Sequence, residues 1–289
     1  MRTTIGILIA LGAFLTIPSS PAQTEVLPNQ TSKTRLQPIV KGILAAWDKF
    51  DVVCLGEDHA SKNDSDLRIT LVEHPDFIRK VKVVMVEWAN NAHQDLLDRF
   101  ALDGEDIPRE QLREVWARTS ATQLWDLPTY EAFLRAIRKV NLGVPKERRI
   151  RILAGDDFSQ TNRGKVIRDL VAREILDKHL KALAVYGAGH CECRAMGFPG
   201  ELEDRYPKRI WSAFTFYDVD AGRQMFGLSD EPALIPITGT EKAKLPIGRM
   251  FFMGRYNDTA TLADMANAIV YYGNIKDVKI AAQQRTAGN

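Results

Sequence analysis

Four short apolar runs in this chain stop abruptly at charged or imidazole side chains. They are "DVVCLGEDH" (51–59), "VKVVMVEWAN" (81–90), "RIRILAGDD" (149–157) and "ALAVYGAGH" (182–190). A run that is apolar at consecutive positions, and not at alternate ones, is what a parallel strand shows when helices cover both its faces. Helical patterns lie between the runs. "RLQPIVKGILAAWDKF" (35–50) has helical spacing at Ile39, Ile43, Leu44 and Trp47. In "SDLRITLVEHPDF", Asp64 or Ser65 is placed to cap a helix that Pro75 stops. "TNRGKVIRDLVAREILDKHL" puts Val166, Ile167, Leu170, Val171 and Ile175 on one face. This βαβ rhythm predicts an α/β fold, an open and mainly parallel sheet with helices on both faces. "RIWSAFTFYD", "GRMFFMGRY" and "ANAIVYYGN" are further expected strands, the last of them closing the sheet near the C-terminus.

A crossover between parallel strands needs only about a dozen residues, so residues 88–149 are an insertion: a helical cap between the second and third strands. "EQLREVWARTS" and "PTYEAFLRAIRKVN" read as its helices. Trp125 and Tyr130 between them either glue the cap to the body or line the roof of a cleft. At the N-terminus, Arg2, the apolar "IGILIALGAFLTI" and small residues at Ser20 and Ala22 read as a signal peptide over 1–22, cleaved near Ala22. The expected protein is therefore exported, periplasmic or secreted. The apolar run falls short of the roughly 20 residues that cross a bilayer, so no membrane span is expected. Residues 23–34 read as a disordered segment or linker, and 35–289 as one α/β domain, for which 45% hydrophobic content supplies a core. A formal net charge of +2 with interspersed signs argues against nucleic acid and leaves a small molecule as the expected partner. Cys54, Cys191 and Cys193 permit at most one bridge within the chain. A Cys191–Cys193 bond would close a very small ring, Cys54 with either partner needs the segments to be neighbours, and unbridged thiols are the alternative.

In open α/β sheets ligands bind beyond the carboxyl ends of the strands. Those ends here deliver Glu57 with His59, then Glu87, then Asp156 with Asp157, then His190. A histidine beside carboxylates suits general-base work, because its ordinary pKa of roughly 6.5 lies near neutrality and a carboxylate can orient the ring. There is no G-x-S-x-G elbow, so hydrolysis by directly activated water fits better than an acyl-enzyme. Glu57, His59, Glu87 and His190 are the candidate catalytic residues, with Asp58, Asp156 and Asp157 in support and Trp125 and Tyr130 as cleft-lining candidates. The same side chains and the thiols of "GHCEC" offer metal ligands. However, neither H-E-x-x-H nor paired C-x-x-C motifs occur, so no metal is assigned and a metal-dependent hydrolase is the third reading. "YGAGH" lacks the continuation of a dinucleotide fingerprint.

Taken in order, "LGEDH", "MVEW", "LAGDD" and "VYGAGH" resemble the superfamily that joins erythromycin esterase-like proteins, ChaN-like haem-uptake proteins and, more distantly, Tiki/TraB proteins. The resemblance covers roughly residues 50–273. In the esterase-like branch it implies a metal-independent, cofactor-free site that activates water, carried here by Glu57, His59, Glu87 and His190. In the ChaN-like branch it implies a haem cleft with a tyrosine axial ligand, for which Tyr130, Tyr186 and Tyr217 are the candidates. The esterase pattern places two residues between Glu and His. Here only Asp58 separates them, a spacing closer to the ChaN-like form.

Overall fold

A computed structural model describes residues 26–117, 125–193, 197–216, 223–224, 226–247 and 259–280. In chain order its main elements are α1 (Gln30–Ala46), β1 (Val52–Glu57), α2 (Lys62–Val72), α3 (Pro75–Lys80), β2 (Val83–Asn90), α4 (Gln94–Asp98), α5 (Arg109–Leu112), α6 (Glu114–Ala117) and α7 (Pro128–Leu142). There follow β3 (Arg151–Asp156), α8 (Arg163–Val171), β4 (Ala182–Gly187), α9 (Phe198–Leu202), β5 (Ile210–Phe216), β6 (Ala233–Pro236), α10 (Leu262–Met265) and β7 (Ala268–Tyr271). The strands form one open sheet in the order β3-β2-β4-β1-β5-β7-β6. Every pairing is parallel except β6 with β7. The α/β reading of the four runs is therefore correct.

Side chains along a strand alternate between faces, and each face has its own core. Val53, Leu55, Val84 and Val86 pack under α1, α2 and the cap helix α7. Val52, Cys54, Val83 and Met85 pack under α8 through Ile167, Leu170 and Val171, with Ile175 in the turn that continues it. Burying one such aliphatic side chain is worth about 1.5–3 kcal/mol, which is why all four runs are apolar at consecutive positions.

Several boundaries differ from expectation. Helix α1 starts at Gln30, so residues 30–34 of the expected linker are helical. Asn29 caps it by accepting the Ser32 N–H at 2.8 Å. Helix α2 is capped by Ser61, which accepts the Asp64 N–H, and not by Asp64 or Ser65. Asp64 is thereby available to accept the Thr215 and Tyr272 hydroxyls at 2.6 and 2.7 Å. Pro75 opens α3 at a position where its missing N–H costs nothing. The last strand is internal, and the edge belongs to the unforeseen β6, whose Pro236 is tolerated there because an edge strand has a free side. The cap begins after β2 ends at Asn90. The expected leader over 1–22, the expected strand "GRMFFMGRY" (248–256) and Tyr217 lie outside the described residues. No described helix is long and apolar enough to cross a membrane.

Candidate active site

Strand β1 ends at Glu57 and turns through Asp58, His59 and Ala60 into α2. Ala60 has φ +71°, a left-handed conformation uncommon for a residue with a Cβ. The C-terminal segment straps this turn down: Ile280 N–H donates to the Ala60 carbonyl at 2.8 Å and Lys62 N–H to Val278 at 3.0 Å. The turn aims the His59 ring back at Glu57, with Nδ1 3.0 Å from Glu57 Oε1. The Tyr130 hydroxyl donates to the same carboxylate oxygen at 2.6 Å, and Arg68 pairs with Oε2. Burial pushes the Glu57 carboxyl up, but Arg68, then His59 and Tyr130, hold it below its ordinary value. Burial likewise pushes the His59 ring down, yet the hydrogen bond and charge of Glu57, with Glu87 and Asp58, hold it above its ordinary 6.5.

Glu87 comes from the opposite face of the sheet, because it shares the parity of Met85 on β2 while Glu57 shares that of Leu55 on β1. Its Oε2 accepts the Gly187 N–H at 2.7 Å. Its Oε1 lies 3.3 Å from His190 Nε2 and 3.1 Å from Arg163 Nη2. Burial is outweighed by His190, His59 and the Gly187 N–H, so the Glu87 carboxyl sits at about 2. The two halves meet over Gly187, which is in register with Glu57. A Cβ built there would lie 3.0 Å from His59 Nε2 and 3.5 Å from Glu87 Oε2. A glycine is needed because the ring packs directly on the backbone. With Nδ1–H directed at Glu57, the Nε2 lone pair faces this junction.

No protein-family model and no curated protein matches the sequence. Solved structures do match the fold. A Bacillus cereus protein aligns at 12% identity over 86% of this chain and 94% of its own, with TM-score 0.61. A mutant erythromycin esterase, EreC, in its open conformation aligns at 10% identity over 85% and 97%, with TM-score 0.54. The chain has the erythromycin esterase fold. ChaN of Campylobacter jejuni, described as binding haem cofacially, overlaps more loosely: 14% identity over 63% of this chain and 86% of its own, at TM-score 0.43.

On this fold the candidates drawn from four separate runs gather at one end of four adjacent strands, β3-β2-β4-β1. Glu57, His59, Glu87 and His190 form the centre. Asp156 is fully buried and pairs with Arg163, and burial, only partly offset by Arg163, raises its carboxyl. Asp58 points away: its N–H donates to Asp64 at 2.9 Å and its carboxylate pairs with Lys279. Asp157 caps a surface turn by accepting from Ser159. The two cap aromatics are buried and pack the cap against the body. Tyr130 is fully buried and stacks on Trp88 at 4.1 Å, and Trp125 meets the His59 ring edge-on at 4.7 Å.

The two guanidinium groups were not singled out in the sequence. Arg68 had a signal, a cation on the same helix face as Leu71 and Val72, three and four residues further on. Arg163 opens α8, where the helix dipole favours acidic side chains, so a cation there was a signal of a carboxylate partner elsewhere. Among the described residues no group of three or more His, Cys, Asp or Glu side chains is arranged to hold a metal ion. The hydroxyls of Tyr130 and Tyr186 are both spent inside the protein, on Glu57 and on the Gly155 carbonyl at 2.7 Å. The remaining sequence question about the thiols has an answer: Cys54 is bonded to Cys191.

Proposed function

We infer that the protein is a hydrolase of an ester or a related bond that uses water activated by His59, with no metal or haem in the reaction. The observation that carries this reading is the Glu57–His59 hydrogen bond of 3.0 Å, which commits Nδ1 as donor and leaves Nε2 as base beside Gly187. In the proposed step His59 Nε2 takes a proton from water as the oxygen attacks the carbonyl carbon. Glu57, itself fixed by Arg68 and Tyr130, stabilises the imidazolium that forms. Glu87 stays ionised at neutral pH because its carboxyl sits at about 2, so it positions the water and supports the charged ring. His190, held at Glu87 by the 3.3 Å contact, stabilises the developing oxyanion or protonates the leaving group. The esterase fold is compatible with this chemistry, while a fold by itself does not fix a reaction.

The test is hydrolysis of a broad panel of esters and lactones by wild type and His59→Gln. Loss of a positioned general base is worth about 10²–10⁴ in rate, and a variant as active as wild type on every substrate would end the proposal.

A further inference from the structure

Residues 275–280 lie against the turn that carries His59, although 216 positions separate Ser61 from Asp277. The turn leads into α2, and the first amides of a helix have no partner inside it. The C-terminal segment serves two of them. Lys62 N–H donates to the Val278 carbonyl at 3.0 Å, and Asn63 N–H donates to Asp277 Oδ1 at 3.2 Å. The third, Asp64 N–H, goes to Ser61 Oγ at 3.2 Å. A hydroxyl has one proton and two lone pairs, so Ser61 caps that amide with its proton turned elsewhere. The proton goes to Asp277 Oδ1 at 2.9 Å. One carboxylate oxygen thus orders both the cap and the amide beside it, at the helix end that favours negative charge. Further bonds fix the flanks of the turn. The Asn63 side-chain amide donates to the Ile275 carbonyl at 3.2 Å, and Ile280 N–H donates to the Ala60 carbonyl at 2.8 Å. Lys279 lies 3.0 Å from Asp277 Oδ2 and pairs with Asp58. Asp277 is only 17% exposed, and Ser61 and Asn63 are buried. Ala60, at φ +71°, has a conformation that a residue with a Cβ keeps only where its surroundings impose it.

We propose that Asp277 is a positioning residue for His59, acting through Ser61 and the first turn of α2 to keep the Ala60 turn in the form that aims the ring at Glu57. Without its carboxylate, the Ser61 hydroxyl and the Asn63 amide lose their common acceptor, and fewer bonds oppose relaxation of the left-handed Ala60. The ring then leaves the 3.0 Å bond to Glu57, and Nε2 leaves its place over Gly187. The change is confined to His59. Glu57 stays fixed by Arg68 and Tyr130, and His190 stays at Glu87. The kinetic consequence rests on the hydrolase reading, whereas the position of the ring does not.

The ring itself reports the outcome. It is faced by Glu57 from β1, Asp58 from its own turn, Glu87 from β2, and Trp125 and Tyr130 from the cap. Burial lowers its pKa, and Glu57 foremost, then Glu87 and Asp58, raise it above the ordinary 6.5. The full chain is labelled with carbon-13 at histidine Cε1. The His59 signal is picked out from the five histidines by its loss in His59→Gln and followed by NMR against pH. In Asp277→Ala the His59 midpoint is expected to fall, because the ring has left Glu57. Asp277→Asn removes the same charge but keeps an oxygen that accepts both bonds, so the midpoint is expected to return to that of wild type. An unchanged midpoint in Asp277→Ala, or an Asn variant no nearer to wild type than Ala, would overturn the proposal. If Asp277→Ala does not fold, Ser61→Ala replaces it, since it removes the hydroxyl through which Asp277 acts; there too a wild-type midpoint overturns the proposal. On a hydrolysed ester, kcat of Asp277→Ala is expected to fall by about 10²-fold with KM kept, and Asp277→Asn to regain it. The titration needs no substrate, so failure of the hydrolase reading and failure of this one are distinguishable.

Discussion

Replacing Arg68 with Met tests whether the guanidinium under the site keeps Glu57 ionised. The side chains of Arg68 and Glu57 are only 5% and 4% exposed, so bulk water screens neither charge. Met retains an unbranched stem against Tyr130, Trp88 and Phe133, whose ring centres lie 4.9, 5.5 and 5.6 Å from the guanidinium carbon. Removing one partner of a buried pair costs about 3–5 kcal/mol, mostly because the other charge is left without compensation. Lost cation–π attraction adds about 0.5–2 kcal/mol. The surviving hydrogen bonds from Tyr130 and His59 offset part of this, so the expected loss at neutral pH is about 3–4 kcal/mol. The pH dependence has a defined sign. Glu57 is held below its ordinary 4.5 in the native protein. Its contribution is thus present above that value and lost as pH falls through the lowered native one. The difference between wild type and Arg68→Met is therefore greatest at neutral pH and shrinks in acid, where the variant's carboxyl is protonated. Urea denaturation of both proteins at neutral pH and at about pH 4, followed by far-UV circular dichroism, measures it. A loss below about 1 kcal/mol at neutral pH, or an equal loss at both, would refute the reasoning.

Three further outcomes are expected. Because His59 must be neutral at Nε2 and its carboxylate neighbours raise its pKa above 6.5, kcat/KM climbs with pH along a limb centred above that value. Glu57→Gln moves the limb down, and a limb that stays put would mean that some other group titrates. In Gly187→Ala the new methyl would stand 3.0 Å from His59 Nε2 and 3.1 Å from Cε1, forcing the ring aside. The expected loss is about 10²-fold in kcat/KM, and stopped assays showing wild-type kinetics would place the base elsewhere. In a haemin titration Tyr130→Phe and Tyr186→Phe should leave the Soret spectrum as in wild type, since both hydroxyls are donated internally. Saturation at one haem per chain would replace the hydrolase reading with a carrier.

The chemistry of the candidate site was legible as residue types in four short runs. "VVCLGEDH" carries the apolar strand and the Glu–His pair together, and "VYGAGH" carries the glycine on which that pair rests. Other parts were not legible, for specific reasons. Arg68 is eleven residues from Glu57 and Tyr130 is seventy-three away, so their contacts exist only once α2 and the cap are packed. Asp58 looked equivalent to its neighbours in the string, but the turn after β1 directs it toward Lys279. Ser61 displaced Asp64 as the cap because Asp64 is required by two hydroxyls from β5 and the residue after β7.

Local sequence alone determined β1 to β5 and β7, the crossover helices, the inserted cap and which side chains arrive at strand ends, because burial periodicity and turn chemistry act over a few residues. The tertiary structure decided which strands are neighbours. Only the order β3-β2-β4-β1 brings those ends side by side, and only sheet geometry lets Glu57 and Glu87 leave opposite faces and meet over Gly187. It also chose Cys191 over Cys193 as the bonded partner of Cys54. Two residues of spacing cannot distinguish them, but the turn after β4 places one sulfur against β1 and the other against its neighbour β5.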